Sequence, residues 1–442
     1  MKYYLKSLLA TLLICLPFVN FAQSRADIIK EVQKLMTENY IFIDTAEATN
    51  EHLTHLMEID FFKSIDDPQT FAKMLTTEMQ KITHDKHLNI APPRQQRAAA
   101  PTTDFITRHL NNLERFRNGG FGKIELLEGN IGYVSLEGFR REDIPKVDAV
   151  MNYFSTADAM IIDLRENGGG NSLGQYWSSY FLEDNIAVSG LYERRTDNYS
   201  ELKTVAVKGK KRLNIPLFIL TSHFTFSAAE AFAYDLQCRN RAFVIGETTG
   251  GGAHPVEFMA LPEGYSVIMP YARSINPISK TNWEGIGVQP NLLTASDRTF
   301  ETAKLRAREA AKMYREGPFL NLKDILLKDQ ISQTAAVEVE RIITLLIARN
   351  HLEDFMVVDL GYFYLDNDQI NATLAIFKAN TNIFPESPNA HDSYAESLAK
   401  HGQNDDALKH FKKAVSLAEA QKDHDVNSFR KNLVAFKASL NQ

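Results

Sequence analysis

The residues best placed to do chemistry lie in the stretch 216–230, Pro-Leu-Phe-Ile-Leu-Thr-Ser-His-Phe-Thr-Phe-Ser-Ala-Ala-Glu. The apolar run 217–220 predicts a buried strand, bounded by Pro216 and by the polar Thr221 and Ser222. A short loop then delivers Ser227 to the start of an Ala-rich helix over 228–236. Strand, loop and helix together present a hydroxyl at the carboxyl edge of a sheet, beside unpaired helix N–H groups, where a nucleophile or an anion can be held. The same residues spell a capping box, Ser227 with Glu230 three residues on, so a helix-capping role stands beside the nucleophilic one.

A second loop, 163–172, Asp-Leu-Arg-Glu-Asn-Gly-Gly-Gly-Asn-Ser, follows another apolar run, 159–164. Both loops leave parallel strands and should emerge at the same sheet edge, where open α/β sheets bind ligands. Three consecutive glycines, Gly168, Gly169 and Gly170, permit positive φ and bring backbone N–H groups close enough to stabilise an oxyanion. No Gly-Lys-Ser/Thr follows and no Gly-x-Gly-x-x-Gly is present, so this is not a phosphate-binding loop.

A serine nucleophile requires a base. Residues 228–279 contain no lysine, and Lys280 comes late in a polar loop, which leaves histidine, with its ordinary pKa near neutrality. The candidates are His84, His87, His223 and His254. No Cys/His spacing suggests a metal site, and no cofactor is implied.

The elements that must position these groups belong to a chain of 442 residues, long enough for two or three domains. Lys2 and Lys6 precede an apolar run ending near Ala22, which reads as a secretory signal peptide over 1–22, with a retained anchor as the alternative. Without that segment 47 basic residues face 55 acidic ones, giving a net charge of −8, which excludes a general nucleic-acid binder. Cys238 is then the single cysteine left, so no internal disulfide can form, and it reads as structural.

Residues 23–92 show helical spacing at Ile28, Ile29, Val32, Leu35 and Met36, and again at Phe71, Met74, Leu75, Met79 and Ile82. A polar, Pro-rich stretch over 91–103 opens a linker or crossing segment over 93–120. From 121 to 298 strands alternate with helices, as expected of a mostly parallel sheet covered by helices. The segment 265–271 alternates and predicts an outer or antiparallel strand. Residues 299–442 are helical, and Leu374, Phe377 and Lys378 map onto Leu408, Phe411 and Lys412 at a period of 34, which resembles tetratricopeptide repeats. That region is either a helical cap or a groove for a protein partner.

Four ordered motifs carry a resemblance: 163–170, the 221–230 stretch around Ser227, Gly246-Glu-Thr-Thr-Gly-Gly-Gly252, and Trp283-Glu-Gly-Ile-Gly-Val-Gln-Pro290. Together they resemble the tail-specific protease family, in the branch related to interphotoreceptor retinoid-binding protein and the tricorn core protease, over roughly 24–295. The resemblance implies an N-terminal helical bundle, an α/β sheet domain of the ClpP/crotonase type, and serine peptidase activity on unfolded or C-terminal segments. It implies Ser227 as nucleophile, His87 as base and Glu284 as the acid completing the network. It also implies that Ala228 N–H and a glycine of the loop, Gly169 or Gly170, form the oxyanion hole. Two departures stand out: Lys86 replaces the serine that precedes the family's histidine, and 91–120 leaves no room for a PDZ domain.

The expected protein is therefore an exported, periplasmic or extracellular peptidase with a peptide or unfolded-protein substrate. It meets a membrane only through an uncleaved signal. The rival is a non-proteolytic binder of apolar ligands or peptides on the same scaffold, with Phe224, Phe226, Trp177 and Trp283 as candidate lining. An α/β-hydrolase esterase is disfavoured, since no Gly-x-Ser-x-Gly surrounds Ser227.

Overall fold

The computed structural model describes residues 16–93, 106, 118–140 and 143–440. Most of the expected signal peptide and of the 93–120 crossing segment lies outside the described residues. The chain forms two compact units, one ending at Arg308 and the other beginning at Glu309.

The first unit starts with helices α1 (Leu16–Asn39), α2 (Ile43–Glu58) and α3 (Pro68–Thr83). Then come β1 (Asn89–Ala91), β2 (Phe121–Leu127), β3 (Ile131–Leu136), α4 (Ile144–Tyr153), β4 (Ala159–Asp163) and α5 (Leu173–Ser179). They are followed by β5 (Ala187–Glu193), β6 (Asn198–Lys203), β7 (Leu217–Thr221), α6 (Ala228–Cys238) and β8 (Phe243–Gly246). Strands β9 (Val256–Ala260), β10 (Ser266–Pro270), β11 (Ala272–Ile275) and β12 (Leu292–Leu293) complete it, before helix α7 (Ser296–Leu326).

The central sheet has six strands in the order β12-β8-β7-β4-β3-β2. All its pairings are parallel except β2 with β3. Every residue of β4 and β7 is buried, as the near-continuous apolar runs Ala-Met-Ile-Ile and Leu-Phe-Ile-Leu demand of strands covered on both faces. Helices α4, α5 and α6 contribute Val147, Met151, Trp177, Phe232 and Leu236 to the core around Ile162 and Ile219. This is the mixed α/β fold expected of 121–298.

Two small antiparallel sheets flank it, β1-β10-β9 and β11-β5-β6. The alternating segment 265–271 is indeed antiparallel, but β10 lies at the centre of its sheet rather than at an edge, paired on both sides. The N-terminal helices do not stand as an isolated bundle. Ile28, Val32, Met36, Phe71, Leu75 and Met79 share one core with Val267 and Met269 of β10. Helix α3 begins at a local signal: Asp67 Oδ2 accepts from Thr70 N–H at 2.8 Å and Pro68 fills the first turn. It ends at His84, whose left-handed φ of 52° stops the helix and turns the chain into residues 85–87. Helix capping and β1 pairing thus bring an N-terminal turn to the sheet domain.

The second unit contains α8 (Gln333–Ala348), α9 (Asp354–Asp366), α10 (Ile370–Ile383), α11 (Pro388–Lys400), α12 (Asn404–Gln421) and α13 (Val426–Ser439). Ser387 caps α11 through Ala390 N–H, with Pro388 in its first turn. Leu374 and Leu408, 34 residues apart, pack against one cluster of Ala395, Leu398, Ala407, Phe411 and Phe436. Among the described residues no helix is long and apolar enough to cross a membrane.

Candidate active site

Strands β4 and β7 are adjacent and parallel, so the loops after them leave the same edge of the sheet. Polar side chains tie these loops together. Thr225 Oγ1 donates to Leu164 O at 2.8 Å, Ser222 Oγ to Arg165 O at 2.5 Å, and Phe226 N–H to Asn167 O at 3.0 Å. The serine-bearing loop is thereby fixed to the glycine loop before α6 begins.

Ser227 stands at φ 56°, ψ −122°, a backbone conformation that non-glycine residues avoid and that costs of the order of 1–3 kcal/mol. Glu230 supports it. Its fully buried carboxylate accepts from Ser227 N–H at 2.8 Å and Gly252 N–H at 2.8 Å through Oε2. Through Oε1 it accepts from Gly251 N–H at 2.7 Å and Thr249 Oγ1 at 2.5 Å. Burial pushes the Glu230 carboxyl up, and these four donors act against that shift. The residue that reads in sequence as a helix cap is therefore also the bond between the Ser227 turn and the 246–252 glycine loop.

The glycine loop closes on Ser227. A Cβ added at Gly169, whose φ is +107°, would lie 2.8 Å from Ser227 Cβ, 2.9 Å from Phe226 O and 3.2 Å from Ala228 N. Gly169 N–H is committed to Asn167 Oδ1 at 2.9 Å. Among the described residues, the N–H groups of Gly170 and Ala228 make no hydrogen bond. Both residues line a cavity of about 520 Å³ together with Ser227. Of the two glycines considered for an oxyanion donor, Gly170 is the one whose N–H remains available. Gly169→Ala is expected to slow any reaction of Ser227 at least tenfold and to cost about 1–3 kcal/mol of stability, through the strained φ and overpacking. Reagent labelling of Ser227 and a urea unfolding curve on the variant check both effects.

The histidines separate. His223 is exposed and paired with Glu247 at 3.0 Å, and His84 is an exposed helix terminus. His87 is turned inward: its ring lies 4.6 Å from that of Phe226, and its Cε1 is 2.6 Å from where a Gly252 Cβ would stand. Lys86 holds this turn on the glycine loop by donating to Gly250 O at 2.6 Å. His87 Nδ1 is buried without a partner, 4.0 Å from Asp85 Oδ1. Burial lowers its pKa below 6.5, against the attraction of Asp85 and together with the repulsion of His254. No hydrogen bond joins Ser227 Oγ to His87 or His254 among the described residues.

Glu284 lies beside His254 rather than hydrogen-bonded to His87. Its Oε2 accepts from Ala253 N–H at 2.5 Å and lies 3.6 Å from His254 Nδ1. Burial, then the neighbouring Asp85 charge, pushes its pKa up to about 7, while His254 opposes the shift. His254 lines the Ser227 cavity and is held by Asp85 Oδ2 at 2.6 Å. The sequence reading gave Asp85 no role. Its signal was the Asp-x-His spacing at 85–87, where the carboxylate also accepts the backbone N–H of His87 at 2.9 Å.

The fold and site thus define an α/β protein with a serine at a strained strand-to-helix turn, in one cavity with free backbone N–H groups and the buried His254. Comparison with known proteins matches peptidase family S41 over residues 130–294. The N-terminal domain of peptidase S41 in eukaryotic IRBP matches over 15–114. The chain belongs to peptidase family S41.

Among its relatives, the carboxyl-terminal-processing protease of Picosynechococcus sp. is 25% identical over 183 residues, 39% of this chain and 42% of that protein. The chloroplastic carboxyl-terminal-processing peptidase 1 of Arabidopsis thaliana is 27% identical over 216 residues, 48% of this chain and 40% of its own length. The chain thus spans less than half the length of these relatives. A solved photosystem II D1 C-terminal processing protease superposes with a TM-score of 0.42 at 14% identity, covering 62% of this chain and 93% of that one.

Proposed function

We propose that the protein is an exported serine endopeptidase that cleaves unfolded or C-terminal protein segments through an acyl-enzyme. The observation that carries this is Ser227 at φ 56°, in one cavity with the free N–H groups of Gly170 and Ala228. Ser227 Oγ attacks the scissile carbonyl carbon while His87 takes its proton, and the oxyanion forms against the two N–H groups. The C–N bond then breaks, the leaving amine receives the proton from His87, and a water activated by the same imidazole releases the acyl group. Because burial keeps His87 neutral below its ordinary pKa of 6.5, the acid limb of the pH–rate profile is expected below pH 6.5.

An apolar-ligand binder on the same scaffold is the second reading, favoured by the Val188, Leu202, Phe232, Tyr271 and Trp283 side chains around the cavity. His87→Ala separates the two. A peptidase loses turnover of an unfolded protein, such as reduced carboxymethylated casein, by about 10³-fold or more. A binder retains its affinity for an apolar fluorescent probe, and neither wild type nor variant cleaves the protein. The helices from 309 onward are proposed as the docking region for a protein partner, in keeping with their 34-residue repeat.

A further inference from the structure

The site contains more ionisable groups than a serine and one histidine need, and their geometry is ordered. Asp85 presents its two oxygens to different histidines. Oδ1 accepts His87 N–H at 2.9 Å and faces His87 Nδ1 at 4.0 Å. Oδ2 accepts from His254 Nδ1 at 2.6 Å and from the Tyr40 hydroxyl at 3.4 Å. The side chains of Asp85 and His254 retain only 1% and 3% of their exposure, so this bond is shielded from water and salt. Glu284 Oε2 then lies 3.6 Å from the same His254 nitrogen.

Lys86 replaces the serine expected before His87 and turns instead to Gly250 O, so it cannot transmit anything from Glu284. The route that does exist runs Glu284, His254, Asp85, His87. Resting on the serine-peptidase reading with His87 as base, we propose that His254 is a positioning residue. It pins one oxygen of Asp85, so that the other is directed at His87, and it couples Glu284 to the base. His254 comes from the loop after the glycine turn and Asp85 from the turn after α3, 169 residues apart. Their bond is therefore also one of the ties between the N-terminal helices and the sheet domain, beside the β1–β10 pairing and the Lys86 bond to Gly250 O. His254 itself is set by Phe42, whose ring meets it edge-on at 5.5 Å, with the Arg273 guanidinium 5.9 Å beyond.

The ionisable groups around this cluster are Tyr40 just after α1, Asp85 and Lys86, Glu284, Glu230 on α6, which acts on Glu284, and Arg273 on β11, over the Phe42 ring. Removing the His254 imidazole deletes a neighbour that opposes protonation of His87 and frees Asp85 Oδ2. The expected result is a lower plateau rate and a higher midpoint in the pH profile of Ser227 labelling.

The test is the second-order rate of fluorophosphonate labelling between pH 5 and 9, per folded molecule, in wild type, His254→Ala and His254→Asn. An Asn side chain can place an N–H donor near the Nδ1 position. His254→Ala should label at least tenfold more slowly at its plateau, with the midpoint moved upward, and His254→Asn should recover a third or more of the wild-type plateau. If both variants fall to the background of His87→Ala, His254 is itself the base and the proposal is overturned. If both keep the wild-type plateau and midpoint and merely melt earlier, the residue is structural and the proposal is again overturned. Failure of the underlying serine reading is a separate outcome, seen as undiminished labelling of Ser227→Ala.

Discussion

Ser227→Ala is expected to lower turnover of an unfolded protein by about 10⁴–10⁶-fold, while leaving the fold intact. Of the serines that line the cavity, Ser227 is the one at the strained turn beside the free N–H groups of Gly170 and Ala228, and the single cysteine among the described residues, Cys238, is absent from the lining. Deleting the Ser227 hydroxyl removes neither the Glu230 carboxylate nor the free N–H groups of Gly170 and Ala228. The substrate should therefore still bind with an affinity within a few-fold of wild type, and the loss should fall on kcat rather than KM. Relief of the φ 56° strain is no part of this change, because Ala tolerates that conformation no better than Ser. A variant with more than a tenth of wild-type kcat would remove Ser227 from the mechanism.

Glu230→Ala should give the largest loss of stability. The carboxylate is fully buried and accepts from Ser227 N–H, Gly251 N–H, Gly252 N–H and Thr249 Oγ1. Truncation leaves four donors, three of them buried, without this acceptor and opens a cavity beside the turn, at a cost of about 3–5 kcal/mol. Trp177 and Trp283 both belong to the surrounding core and are the two tryptophans of the chain, so urea unfolding followed by their fluorescence reports on this unit. Glu230→Gln keeps the shape but replaces one acceptor by a donor, and should fall between the two. A loss below 1 kcal/mol in Glu230→Ala would mean that the turn is held by its other bonds, those of Thr225, Ser222 and Phe226.

Much of this was legible in the sequence because the central strands announce themselves. The apolar runs that become β4 and β7 are fully buried, and each is followed by a loop of the candidate site. The parallel pairing of those strands made it foreseeable that Gly170 and Ser227 would share an edge. The small sheets were less visible for a physical reason. Every residue of β6 is exposed, and β1 has only three residues, so neither carries a burial pattern that periodicity could detect. β10 was read as an alternating strand, but its central place follows from partners far away in the chain, which local pattern does not encode.

The site divides in the same way. Ser227 and the glycine loop are local motifs, written in consecutive residues. The contact between Asp85 and His254 joins residues 169 apart, and nothing in either segment names the other. His254 could be considered only as one of four histidines. Its place emerges when β9 and β10 fold against the N-terminal helices and carry the preceding loop to Asp85. Glu284 illustrates the converse: a motif identified the residue, while its neighbour turned out to be His254, at 3.6 Å, with Asp85 between it and the expected base.

Ser227 as nucleophile can be tested by covalent labelling at the residue level. The wild-type protein is treated with a fluorophosphonate, digested, and the modified residue located by tandem mass spectrometry. A single stoichiometric adduct on Ser227 is expected, absent when His87 is replaced by Ala. Modification of a different residue, or no modification of a protein that is nonetheless cleaving its substrate, would contradict it.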